Sequence, residues 1–168
     1  VDNLAIGSYT LCANTEGVSN TAIGVCAGCS LTSGSRNILI GPKSGQTLSF
    51  GSDNTFIGAC NAINGNTYRN TLIGSSAGCS SQVNDVTAIG ACAGCSITTG
   101  TANTVLGIYA ACATTTGAYN TAVGGVALRD NTTGYCNVAI GYAAFLQTPA
   151  SIRNVVIGTY AGQQLAFS

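Results

Sequence analysis

An apolar residue followed by glycine recurs ten times along the chain: Ile6-Gly7, Ile23-Gly24, Ile40-Gly41, Ile57-Gly58, Ile73-Gly74, Ile89-Gly90, Leu106-Gly107, Val123-Gly124, Ile140-Gly141 and Ile157-Gly158. These anchor glycines stand 17 residues apart, except for two steps of 16 that lead into Gly74 and Gly90. A period this regular confines the chain to a repeat architecture, in which each unit buries its apolar face against the next. No insertion exceeds one period, so the 168 residues are one repeat domain, 1–168, and a segment of a longer fibre is the expectation.

Each copy approximates Asn-Thr-Ala-Ile-Gly-x-x-Ala-Gly-Cys-x-x-Thr-Thr-Gly-x-x. A helix-pair repeat needs about 33 residues, so this period is too short for one. Thr, Val and Ile favour strands, and each glycine inside a helix costs about 1 kcal/mol. The pattern predicts an all-β fold, a parallel β-solenoid or β-roll of ten ~17-residue coils. Stacked at the ~4.8 Å strand spacing, ten coils make a rod of roughly 45 Å. The anchor glycines are expected at tight corners wedged between coils. A second glycine (Gly17, Gly34, Gly51, Gly100, Gly117, Gly134) marks another corner, read as lying at an edge and more tolerant of a Cβ.

Four residues before the anchor stands Asn in nine copies: Asn3, Asn20, Asn37, Asn54, Asn70, Asn103, Asn120, Asn137 and Asn154, with Val86 the exception. A turn-forming role explains one such Asn; nine in register point to a ladder of stacked carboxamides that donate and accept along the rod. Cysteine concentrates on two repeat positions. Five residues after the anchor come Cys12, Cys29, Cys79, Cys95 and Cys112; two after it come Cys26, Cys60 and Cys92. Neighbouring coils would bring equivalent Cα atoms within disulfide range, making Cys12 with Cys29, and Cys95 with Cys79 or Cys112, candidate bridges. Reduced thiols acting as small hydrophobes are the alternative, and the preferred one. The C-x-x-C spacings Cys26 to Cys29 and Cys92 to Cys95 follow from the repeat, so no metal and no cofactor are expected.

Charge is scarce: five Lys plus Arg, five Asp plus Glu, no His, and a formal net charge of zero. Such a balance offers no pull toward nucleic acid. The absence of an 18-residue apolar run argues against insertion into a membrane. The acidic residues Asp2, Glu16, Asp53, Asp85 and Asp130 are scattered over five copies, which leaves no paired carboxylates for acid–base chemistry. A cysteine nucleophile would lack its usual His base. Enzymatic activity is not expected. Arg36 and Asp53 share a ladder position one coil apart and read as a solvated ion pair.

At Asn20-Thr-Ala-Ile-Gly-Val-Cys-Ala-Gly, at Asn120-Thr-Ala-Val-Gly and at Asn137-Val-Ala-Ile-Gly-Tyr-Ala-Ala, the sequence resembles the head repeats of YadA-type trimeric autotransporter adhesins. It is also similar to Ala-Ile-Gly-x-x-Ala-Gly arrays of phage tail fibres and large-DNA-virus surface fibres. The resemblance implies a trimeric parallel β-roll that binds a host-surface receptor or glycan, placed outside the cell or on a virion or cell surface. The adhesin repeat is usually shorter and lacks cysteine.

The leading expectation is therefore a structural fibre or adhesin segment. The alternative is an ice-binding solenoid using the threonine column Thr21, Thr55, Thr71, Thr87, Thr104 and Thr121, which Leu4, Ile38, Val138 and Val155 interrupt. The two residues before each anchor are apolar in all ten copies, and successive strand residues face opposite sides. One set must face the coil's interior and the other needs cover. Leu39, Phe56, Leu72, Val105 and Val156 are read as the covered set, through which chains associate laterally, as trimers by the resemblance. Neither end carries a recognisable cap: the first copy opens on Asn3-Leu-Ala-Ile-Gly7, and Leu165, Ala166 and Phe167 near the end are still apolar. Axial continuation into a filament is the expectation.

Overall fold

The computed structural model describes residues 2–61 and 66–163. Ten three-residue strands form one parallel sheet in chain order: β1 Leu4–Ile6, β2 Thr21–Ile23, β3 Ile38–Ile40, β4 Thr55–Ile57, β5 Thr71–Ile73, β6 Thr87–Ile89, β7 Thr104–Leu106, β8 Thr121–Val123, β9 Val138–Ile140 and β10 Val155–Ile157. Each strand pairs in register with the next, Thr21 opposite Ile38 and Ile23 opposite Ile40, for example. The chain is a β-solenoid, and no helix occurs among the described residues.

One side of each coil is strand; the others are turns whose backbone bonds also run between coils. Thr21 N–H donates to the Asn37 carbonyl at 2.8 Å, and Gly24 N–H to the Ile6 carbonyl at 2.8 Å, the slanted pattern of parallel pairing. Beyond the strand, Gly28 N–H reaches Ser44 O at 2.9 Å and Thr32 N–H reaches Ser49 O at 2.9 Å. Within a coil, Ala27 N–H to Gly24 O (3.2 Å) and Leu31 N–H to Gly28 O (2.9 Å) close two successive turns.

The anchor glycines do sit at wedged corners. Gly90 has φ +133°, and a Cβ there would stand 2.6 Å from the carbonyl carbon of Gly107 in the next coil. The second glycine is a correction. Gly100 is buried rather than at a loose edge, and a Cβ on it would meet the Gly117 carbonyl oxygen. Both corners exclude side chains for the same reason, the backbone of the adjacent coil. Glycine is nonetheless not the general marker of turning here. Among the described residues, twenty-four non-glycine residues have positive φ, and they include every residue two after the anchor, from Tyr9 and Cys26 to Val126 and Tyr160.

The core is a narrow column filled from three sides. The middle strand residue points inward, joined by the side chains four and seven residues after the anchor. Their sizes offset one another coil by coil. Leu39 and Phe56 lie against Gly45; Leu72 lies over Gly78; Ala88 leaves room for Ile97 beside Gly94; Ala122 is matched by Leu128, and Ala139 by Phe145. A Cβ on Gly78 would come within 2.8 Å of Leu72 Cδ2, and one on Gly94 within 2.7 Å of Ile97 Cδ1. Glycine stands where a neighbouring side chain already fills the space.

This packing corrects the expected association face. Leu39, Phe56, Leu72 and Val105 are fully buried in the chain's own core, and Val156 packs against it. The residues that face outward are the first and last of each strand. The terminal residues Leu165, Ala166 and Phe167 lie outside the described residues.

The asparagines form the ladder. Seven of them, Asn20, Asn37, Asn54, Asn70, Asn103, Asn120 and Asn137, are buried, with Asn154 half-buried and Asn3 exposed at the first coil. The Oδ1 of each generally accepts the backbone N–H of its successor, as in Asn37 N–H to Asn20 Oδ1 at 3.0 Å and Asn120 N–H to Asn103 Oδ1 at 2.9 Å. The amide nitrogen donates to a carbonyl fourteen residues on, Asn20 to Gly34 at 2.8 Å and Asn120 to Gly134 at 2.9 Å. At Val86 the ladder breaks. Its backbone N–H donates to Asn70 Oδ1 at 2.8 Å, but its side chain returns no acceptor to Asn103.

Candidate functional site

The outward face of the ten-stranded sheet carries three parallel columns: the first strand residue, the last strand residue, and the residue after the anchor glycine. The last strand residue is Ile in eight coils, Leu106 in one and Val123 in one. Among the described residues, ten of the nineteen exposed large hydrophobics lie in these columns, more than on any other side of the coils. They include Ile6 at 54%, Leu106 at 45%, Val155 at 72% and Ile157 at 66% exposure. No charged residue occupies any of the thirty positions. In-register pairing repeats the face every ~4.8 Å along the rod.

The first column holds threonine in five consecutive coils, Thr55, Thr71, Thr87, Thr104 and Thr121, paired directly one to the next. Thr21 stands apart from them, separated by Ile38. Sequence reasoning missed a distinction that the structure draws between two threonine sets. Eight residues after the anchor, threonine hydroxyls are spent on the next coil's carbonyl: Thr98 Oγ1 to Thr115 O at 3.2 Å, Thr115 Oγ1 to Thr132 O at 3.1 Å, Thr132 Oγ1 to Pro149 O at 2.9 Å. The hydroxyls of the sheet-face threonines donate to no group among the described residues, which leaves them for water or a partner.

Charge gathers along one edge of the face. Twelve residues after the anchor in coils two and three, and eleven in coils four and five, the column reads Arg36, Asp53, Arg69, Asp85. Arg36 holds Asp53 through two bonds, Nε to Oδ1 at 2.6 Å and Nη2 to Oδ2 at 2.9 Å, as the ladder position suggests. Arg69 repeats this on Asp85 at 2.7 and 2.9 Å. The Arg36 hydrogen bonds hold the Asp53 carboxyl below the usual carboxylate range, with Arg69 adding to the pull. All four side chains remain largely exposed, so these pairs tune the edge more than they hold the fold.

The remaining side carries the thiols. Cys12, Cys29, Cys79, Cys95 and Cys112 are free thiols in the structure, as are the other four cysteines, so none of the candidate bridges is present. Four of the five lean toward the next coil: Cys12 Sγ lies 3.3 Å from Cys29 O, Cys29 Sγ 3.7 Å from Gln46 O, Cys79 Sγ 3.3 Å from Cys95 O, and Cys95 Sγ 3.6 Å from Cys112 O. Burial, then the neighbouring thiols, pushes Cys29, Cys79 and Cys112 above the ordinary thiol value. Among the described residues no group of three or more Cys, Asp or Glu is arranged to hold a metal ion.

Comparison with protein-family models, with characterised proteins and with solved structures returns no match to this chain.

Proposed function

We propose that the chain is a structural rod, a segment of a surface fibre or adhesin, and that rods associate laterally through the outward sheet face. The observation that carries this reading is that face itself: ten coils in register presenting an unbroken aliphatic column with no charge. A β-sheet apolar on both sides is normally covered on both sides. Another copy, repeating at the same interval, matches it along its whole length, and a trimer closes such a contact around one axis. Axial continuation of the stack would extend the rod into a filament. The resemblance to adhesin heads and virus surface fibres supports a location outside the cell or on a virion. A receptor or glycan partner belongs to the same reading.

The test is light scattering together with negative-stain imaging of the purified chain and of Ile57→Lys/Ile89→Lys. The expected result is a lateral oligomer of rods that the substitutions dissolve into single rods with unchanged strand content. A wild-type chain that stays monomeric at micromolar concentration overturns lateral association.

A second reading rests on the five consecutive threonines with unspent hydroxyls. A flat array of hydroxyls and methyls at a regular interval suits the ordering of water at an ice surface. Thermal hysteresis that disappears in Thr87→Leu/Thr104→Leu would favour it over the rod assembly.

A further inference from the structure

The Asn ladder fails at one joint, and the longest run of stacked thiols lies at the same joint. Val86 belongs to the sixth coil and interrupts the carboxamide tie between Asn70 and Asn103. Those same three coils, fifth to seventh, carry Cys79, Cys95 and Cys112 at the equivalent position five residues after the anchor. The fifth coil is also one of the two with a 16-residue step. Backbone bonds hold the thiol-bearing segments in register, Ser80 N–H to Cys95 O at 3.1 Å and Ser96 N–H to Cys112 O at 3.2 Å. Register places neighbouring Cα atoms near the strand spacing, within the range that a disulfide spans, whereas Cys79 and Cys112 are two spacings apart and beyond it.

We propose that Cys79 and Cys95 are an oxidation site, at which a disulfide joins the fifth coil to the sixth beside the interrupted asparagine ladder. Of the two neighbour pairs, Cys79 makes the closer approach, its sulfur 3.3 Å from the Cys95 carbonyl against 3.6 Å for Cys95 and Cys112. The co-reactant is a small-molecule disulfide such as oxidised glutathione. One protein thiolate attacks a sulfur of that disulfide and expels one small thiolate, leaving a mixed disulfide. The second protein thiolate then attacks the protein sulfur, and the second small thiol departs. Two protein thiols and one small disulfide become one protein disulfide and two small thiols. Burial, then the neighbouring Cys95, raises the Cys79 thiol above its ordinary value, so the reactive thiolate share and the rate of exchange grow as pH rises. The bridge closes a 16-residue loop and adds a covalent tie between the fifth and sixth coils, next to the joint between Val86 and Asn103 where the carboxamide acceptor is missing.

The sequence makes the bridge separable. Trypsin, cutting after Arg69 and Arg129, together with a protease that cuts before Asp85, places Cys79 in peptide 70–84 and Cys92, Cys95 and Cys112 in peptide 85–129. The full chain, native at pH 8, is treated with oxidised glutathione, capped and digested. The expected product is 70–84 covalently joined to 85–129, absent in Cys95→Ser and retained in Cys92→Ser and Cys112→Ser. Its thermal midpoint rises above that of the reduced chain, and no such rise occurs in Cys95→Ser. A peptide 85–129 that loses two hydrogens on its own, or glutathione adducts without the cross-link, overturns the proposal. Neither outcome bears on the rod reading, which scattering tests on the reduced chain.

Discussion

The side-chain amide of Asn37 donates to Oδ1 of Asn20 at 3.0 Å, and the backbone N–H of Asn37 donates to the same oxygen at 3.0 Å. Asn37 also donates to the Gly51 carbonyl at 2.8 Å and accepts from the backbone and side chain of Asn54 at 3.1 and 3.0 Å. One buried carboxamide thus serves three coils, and its removal strands several polar groups at once. Asn37→Ala is expected to destabilise the chain by about 3 kcal/mol, since each buried group left unpaired costs about 1–3 kcal/mol. Denaturant unfolding followed by circular dichroism measures it; a loss no larger than that of an exposed Gln82→Ala control would contradict the ladder's role.

The reverse change applies where the ladder breaks. Val86→Asn gives Asn103 an acceptor and joins the two halves of the carboxamide column. It is expected to raise stability by about 1 kcal/mol, the net worth of one intramolecular hydrogen bond. A fall in the unfolding midpoint would show that Val86's packing outweighs the missing tie.

The exchange of volume between core columns predicts a strongly non-additive pair. Leu72→Ala alone is expected to cost about 2–5 kcal/mol through the cavity it leaves. Gly78→Leu alone drives a side chain into Leu72, although Leu11, Leu128 and Phe145 occupy the same repeat position at the same left-handed φ. The double variant re-creates the arrangement of the eighth coil, Ala122 with Leu128, and should be more stable than either single variant. A double-mutant cycle checks this, and additive losses would refute the compensation.

The ion-pair column sets a pH dependence. Arg36 lowers the Asp53 carboxyl, and Arg69 lowers that of Asp85. Because the folded values lie below the unfolded value of about 3.9, the pairs contribute above that pH. The contribution is lost as pH falls through the folded values. Carboxyl-carbon NMR should find both groups titrating low, and Arg36→Gln should return Asp53 toward the ordinary range while Asp85 stays low. An Asp53 that does not move would show that Arg36 is not its partner in solution.

The coil architecture and the asparagine ladder are legible in the sequence because they recur at fixed offsets, and only stacking in register rewards such recurrence. The orientation of the strand is not legible from alternation, since the middle and last strand residues are apolar in every coil. The deciding signal lies in how each column varies. The middle position ranges from Ala22 to Phe56, with compensating changes at positions such as Gly28, Leu128 and Phe145, as an interior of fixed width demands. The last position is nearly uniform isoleucine, with no volume to balance. The left-handed turns were hidden for another reason: Tyr9, Cys26, Arg36 and Val126 occupy backbone conformations usually marked by Gly or Asn. Neighbouring coils impose those conformations; local preference does not announce them.

Each strand touches only the strand before and the strand after it. Under a pull on the two ends, the described coils offer no interior knot or long-range clasp to share the load. They should therefore yield like a ratchet, one coil at a time from a free end, each release lengthening the tether by roughly 55 Å. A rod of this kind would behave less as a rigid strut than as a spool whose extension is counted in coils.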